Sequence, residues 1–160
     1  MPVSTQYKIC ELAEALQRRD DWKSAGEQVV FTNGCFDILH LGHVDYLEKA
    51  HQTGSKMIVG VNSDASVRVL KGPERPVNNE YARARIIASL QFVDLVIVFH
   101  EETPLELINI LLPDILVKGD DYSFETIVGA KEVIAAGGQV KTIPLVPSYS
   151  TTGIIQKLKQ

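Results

Sequence analysis

Short apolar runs recur along the chain, separated by stretches whose apolar residues fall at helical spacing. Val29-Val30-Phe31 leading into Asn33-Gly34, Met57-Ile58-Val59-Gly60-Val61, Val93 to Phe99, Ile115-Leu116-Val117 and Val140-Lys141-Thr142-Ile143 are five such runs. Each is short, β-branched and bounded by turn residues, which predicts buried strands. Ile9, Leu12, Ala13 and Leu16 predict a helix between Gln6 and Gly26, and Val44, Leu47 and Ala50 mark the face of another. Asn62-Ser63-Asp64 predicts the cap of a short helix, Ala65 to Leu70. Asn79-Glu80 opens a helix through Gln91, with Ala82, Ile86, Ile87 and Leu90 as its expected apolar face. Further helices are expected over Leu105 to Leu112, Glu125 to Ala136 (stopped by Gly137-Gly138) and Gly153 to Leu158.

Strands alternating with helices predict a single α/β domain, doubly wound and Rossmann-like. A five-stranded parallel sheet of order 3-2-1-4-5 is expected over residues 27–160, with residues 1–26 as an N-terminal helical extension. In such a sheet the ligand crevice lies at the carboxyl edge, where strands one and four diverge. That placement brings together the turn around His40, Lys118-Gly119-Asp120 and Ser150-Thr151-Thr152.

Composition changes this picture little. With 160 residues, 45% hydrophobic and 22% charged, one ordinary globular domain is expected. The net charge of −4 and the lack of a basic stripe give no reason to expect nucleic acid. No apolar run reaches the length of a membrane span, and Met1-Pro2-Val3-Ser4 starts no signal peptide, so a cytoplasmic protein is expected. Cys10 and Cys35 form no C-x-x-C pair, so neither zinc nor a redox dithiol is expected.

The chemistry concentrates after the first strand. Asn33, Gly34, Asp37, His40, Gly42 and His43 lie in a turn that feeds a helix, where free N–H groups and the helix dipole favour phosphate. His40 and His43, three residues apart, face the same anion, and Gly42 lets a flat group approach the backbone. A metal reading of the two histidines lacks a third ligand at suitable spacing. Lys71-Gly72-Pro73-Glu74-Arg75-Pro76 is a charged loop at the same sheet edge, from which Lys71 and Arg75 project.

Asn33-Gly34-Cys35-Phe36-Asp37 followed by His40-Leu41-Gly42-His43 resembles the signature of the H-x-G-H nucleotidyltransferases. Tyr149-Ser150-Thr151-Thr152 resembles that superfamily's second motif, which holds the β- and γ-phosphates. Leu70-Lys71-Gly72-Pro73, Leu112-Pro113-Asp114 with Val117-Lys118-Gly119, and Leu145-Val146 are similar to the heptose 1-phosphate adenylyltransferases within it. The likeness covers nearly the whole chain. It departs from the heptose pattern at Lys118-Gly119-Asp120-Asp121-Tyr122, whose Gly-Asp-Asp resembles glycerol-3-phosphate cytidylyltransferases, and at Gly153, where arginine is common.

The resemblance implies ATP and a sugar 1-phosphate as substrates, Mg²⁺ carried on the triphosphate, and a homo-oligomer. It implies that His40 and His43 stabilise the transition state and triphosphate, and that Lys71 neutralises the reacting phosphates. It places the Phe36 N–H at the α-phosphate, Asn33, Gly34 and Cys35 beside it, and Gly42 beneath the nucleotide. Arg83, matched by counting back from Phe92-Val93-Asp94 and preferred over Arg85, is implied to lie near the site. Lys118, Gly119 and Asp120 are implied near ribose or base, Ser150, Thr151 and Thr152 at the phosphate tail, and Asp37 as an organiser of the turn. A CTP-dependent cytidylyltransferase for a polyol phosphate and a non-catalytic nucleotide-binding regulator remain as alternatives.

Overall fold

The computed structural model describes residues 4–160. Five parallel strands form one sheet of order β3-β2-β1-β4-β5: β1 Val29–Gly34, β2 Lys56–Asn62, β3 Leu95–Phe99, β4 Ile115–Gly119 and β5 Gln139–Ile143. The predicted order therefore stands, with each boundary within two residues. Side chains alternate between faces as a pleated strand requires. Val30, Met57, Val59, Val96, Ile115 and Val117 point to one core, while Val29, Phe31, Ile58, Leu95, Ile97 and Leu116 point to the other. Both faces are covered, which is why the strands read as continuous apolar runs. Gly60 sits mid-strand because an added Cβ would meet the rings of Phe31 at 3.0 Å and Phe99 at 3.3 Å.

The first core is closed by α2, Leu41–His51, and α4, Glu80–Ala88, with Tyr46, Leu47, Ala50, Ala84, Ile87 and Ala88 buried. The second is closed by α1, Leu12–Ser24, α5, Leu105–Leu111, and α6, Ala130–Ala135. Ala15 of α1 is fully buried there, and Cys10 N donates to Val96 O at 3.1 Å, so the N-terminal segment packs into the sheet. The remaining helices, α3, Asp64–Lys71, and α7, Thr151–Leu158, flank the carboxyl edge. No helix among the described residues is long and apolar enough to cross a membrane.

Three helices differ from expectation: the N-terminal one begins only at Leu12, because Ile9 forms a parallel bridge to Val96 at the sheet edge instead of joining its apolar face. The stretch Glu125 to Ala136 is broken: a 3₁₀ turn spans Phe124–Thr126, and α6 begins only after Gly129 at φ +85°. Ile108 of α5 approaches so closely that a Cβ on Gly129 would stand 2.7 Å from it, so only glycine fits. Helix α4 ends at Ala88 and is rotated from the predicted face, leaving Ile86 37% exposed and burying Arg83 completely. A guanidinium takes the inward position because backbone carbonyls meet it there, which apolar periodicity cannot register.

Candidate active site

Strands β1 and β4 pair only at Val30–Ile115 and Phe31–Leu116, and then part. Tyr46 of α2 fills the opening: its hydroxyl lies 2.7 Å from Thr32 Oγ1 and donates to Val117 O at 3.0 Å. The phenol gives the buried Val117 carbonyl a donor beside the parted strands and links it to the Thr32 hydroxyl. Above the gap, Lys118 Nζ donates to Asn33 Oδ1, bridging the strand ends.

The turn after β1 is held from three sides. Phe36 has φ +47°, a conformation L residues rarely adopt, and its buried ring packs edge-on to His43 at 5.3 Å. Asp37, 2% exposed, accepts from Val77 N at 2.8 Å, Asn78 N at 2.9 Å and Arg75 Nε at 2.7 Å. Burial alone would raise its pKa, but those hydrogen bonds and the arginine hold it below the usual carboxylate value. Arg83 donates to the carbonyls of Cys35 and Asn62, each at 2.7 Å, to Asn78 O at 2.9 Å and to Asp64 Oδ1 at 2.8 Å. One buried side chain thereby joins the motif turn, the end of β2 and the entry to α4.

His40 is the N-cap of α2, its Nδ1 facing His43 N at 3.4 Å. The two imidazoles stack at 3.7 Å between centroids. Burial and then His40 push the His43 pKa down to about 4, and burial lowers that of His40. Both rings are neutral at pH 7. At the other helix start, Ser150 Oγ accepts from Gly153 N at 3.0 Å as the cap of α7, and Thr151 Oγ1 donates to Ile38 O at 3.3 Å. The second motif is thus fastened to the first.

These parts surround a cavity of ≈ 630 Å³, within the range of small-molecule sites. Of the residues singled out from sequence, Asn33, Gly34, Cys35, Phe36, His40, Gly42, His43, Lys71, Lys118, Gly119, Ser150, Thr151 and Thr152 line it. Arg83 and Asp120 do not. Arg83 lies beneath the turn, engaged as described, and Asp120 accepts from Leu145 N at 3.4 Å, fixing the loop after β5. Asp121 and Tyr122 occupy the wall instead. Sequence reading also passed over Tyr46, Asn62, Glu102 and Thr103, which line the cavity; the buried face of α2, the last residue of β2 and the loop after β3 are the signals that point to them.

A sequence model of the family described as cytidylyltransferase-like matches residues 31–157. The chain belongs to that family. It is 52% identical over 151 residues to the bifunctional protein HldE of Methylobacillus flagellatus, covering 94% of this chain and 31% of that protein. The chain thus spans about a third of the length of the curated relatives it matches. The crystal structure of a lipopolysaccharide core biosynthesis protein from Thermoplasma volcanium superposes with a TM-score of 0.63 at 31% identity, over 78% of this chain and all of that one. Pantoate-beta-alanine ligase from Francisella tularensis, at 14% identity, shares the fold with a TM-score of 0.60, over 94% of this chain and 76% of that one.

In this cytidylyltransferase-like site the cysteine is no nucleophile in waiting. Burial pushes the Cys35 thiol up, and Lys71, Arg83 and Arg75 only partly oppose it. Among the described residues no group of three His, Cys, Asp or Glu side chains could hold a metal ion. Lys71 ends α3 at an exposed position, and Gly72 follows at φ +101° with open space around it. Beside that loop a groove of ≈ 480 Å³ runs between Lys71, Glu74, Arg75 and the Thr152–Gln156 side of α7.

Proposed function

We propose that this chain is a nucleotidyltransferase joining a sugar 1-phosphate to ATP, giving an ADP-sugar and pyrophosphate, with D-glycero-β-D-manno-heptose 1-phosphate as acceptor. The observation that carries the reading is the convergence of two helix N-termini on one cavity. One is capped by His40 and followed by His43, the other is capped by Ser150, and the lysines Lys71 and Lys118 line the same space. The motifs similar to heptose 1-phosphate adenylyltransferases, and the likeness to the HldE proteins, support the choice of substrates.

An acceptor phosphate oxygen is ionised at neutral pH and needs no general base to attack the α-phosphorus. A P–O bond forms there as the bond to pyrophosphate breaks, and the pyrophosphate carries away the growing charge. Catalysis then rests on alignment and on neutralising that charge. Neutral His40 and His43 donate ring N–H groups to the phosphates, the α7 N-terminus with Ser150, Thr151 and Thr152 holds the tail, and Lys71 approaches from the end of α3. Gly42 gives the nucleotide access to the α2 backbone. Arg83 acts through the carbonyls of Cys35 and Asn62, as a positioning residue. The Mg²⁺ that the family resemblance implies would enter as part of the nucleotide substrate, held by phosphate oxygens and water.

The Gly119-Asp120-Asp121 stretch favours a second reading, a CTP-dependent enzyme for a polyol phosphate. A matrix of pyrophosphate release, nucleoside triphosphates against sugar and polyol phosphates, separates the two. The expected result is ATP with the heptose 1-phosphate; a higher kcat/KM with CTP moves the chain to the second reading, and no turnover with any pair moves it to a binding protein.

A further inference from the structure

The cavity lining divides along the carboxyl edge of the sheet. After β5 come Leu145, Tyr149 and Ser150 to Thr152, with the α7 N-terminus; at the end of β2 comes Asn62 and after β3 come Glu102 and Thr103, a set of hydroxyl, amide and carboxylate groups. Between these halves, over the gap where β1 and β4 part, stands the Lys118 amine on Asn33 Oδ1. It lies 5.8 Å from the centroid of the Tyr122 ring. A phosphate at this boundary would sit between nucleotide and acceptor, which is where the attacking oxygen must be.

The cations nearby are unequal. Arg75 is paired to Asp37 and Arg83 to Asp64. Lys71 and Lys118 belong to no ion pair among the described residues. Burial lowers the Lys118 pKa to about 8, with Asp121 and then Cys35 opposing it, so the amine is mostly cationic at neutral pH. The triphosphate already has two helix N-termini and two histidines to meet it. The acceptor's phosphate is the remaining anion, and Lys118 the remaining inner cation.

We propose that Lys118, held by Asn33, binds the phosphate of the acceptor and so selects phosphorylated acceptors, with Lys71 completing the subsite from the end of α3. The inference rests on the nucleotidyltransferase reading and moves Lys118 from the ribose and base to the reacting phosphate. Cys35 reports on the subsite, because its half-buried thiol lines the cavity and lies within the electrostatic reach of both lysines, whereas Cys10 is buried elsewhere.

Lys118→Met keeps an unbranched apolar side chain close to the length of the lysine stem and removes the amine and its charge. With the sugar phosphate that supports turnover, it should raise the acceptor KM by about 10²-fold and leave the ATP KM within about 3-fold. Equal rises in both constants, or a rise for ATP alone, would overturn the assignment. In parallel, inorganic phosphate should slow iodoacetamide labelling of Cys35 in the unaltered protein, and should lose that effect in Lys118→Met. Labelling that ignores phosphate, or protection that survives the substitution, also overturns it. The labelling needs no turnover, so it still decides the subsite if no nucleotide is consumed, an outcome that would sink only the nucleotidyltransferase reading.

Discussion

Gly42→Ala is the perturbation whose effect follows most directly from the geometry. An added Cβ would stand 2.9 Å from His40 Cε1 and 3.0 Å from His40 Nδ1, with Tyr149 Cβ at 3.3 Å. Comfortable carbon contacts begin at roughly 3.5 Å, so the His40 ring must retreat by about 0.5 Å or leave its cap. Its stacking on His43 at 3.7 Å moves with it. A misplacement of about 1 Å near reacting groups costs about 10²-fold, so half that shift, plus a methyl on the cavity wall, should lower kcat/KM for ATP by roughly 10–100-fold. Stability should behave differently. Alanine is favoured over glycine inside a helix by about 0.5–1 kcal/mol, which offsets the crowding, so Tm should stay within about 3 °C. Pyrophosphate release and calorimetric melting on the same preparation test both halves. Unchanged kcat/KM would show that neither His40 nor the approach over Gly42 matters; activity lost only in step with unfolding would show that the crowding acts on the fold.

Arg83→Gln should lower stability by about 3 kcal/mol or more, because it leaves three carbonyls and a carboxylate without their donor. That is a fall of about 6–12 °C in thermal melting, and a raised ATP KM with unchanged Tm would instead put Arg83 in contact with nucleotide. His43 makes a pH-dependent contribution with a definite sign: the unfolded chain binds a proton as pH falls through 6.5, but the folded one resists until about 4. Its stabilisation is present above pH 6.5 and drains between 6.5 and 4, with His40 shifted in the same direction; the contribution of Asp37 is lost only at lower pH, from 3.8 downward. Melting curves at pH 7 and 4.5 should therefore show a smaller drop for His43→Gln than for the parent, and an equal drop refutes the assignment. Lys71→Ala should reduce kcat by about 10²-fold while calorimetric ATP affinity changes little, since an exposed side chain at the last residue of α3, just before the Gly72 turn, meets the phosphates mainly in the transition state. A matching loss of affinity with kcat intact would make Lys71 a ground-state anchor.

Strand identity and order were legible because both faces of this sheet are covered, and the resulting apolar runs leave little room for another reading. The motif turn was legible because Gly42, His40 and His43 sit at a strand-to-helix junction suited to phosphate and resemble the H-x-G-H signature, and the resemblance carried the chemistry. What escaped has a common cause. Arg83 points inward because three carbonyls from distant segments meet there, Gly129 breaks a helix because Ile108 crowds it, and Asp120 turns to Leu145 N while Asp121 takes the wall. Each outcome is fixed by a neighbour far away in sequence. Only the last was open to a choice between adjacent residues of the same type.

The Tyr46 hydroxyl between Thr32 and Val117 settles when the crevice is opened. Parting two neighbouring strands exposes polar backbone, and a protein that did so only on meeting its ligand would lose that free energy from affinity. Here the separation is made once, during folding, and is upheld by a phenol that the bundle of α2 and the sheet already buries. The two strands on either side of the seam are therefore already tied through one phenol, from the Thr32 hydroxyl to the Val117 carbonyl, before any substrate arrives.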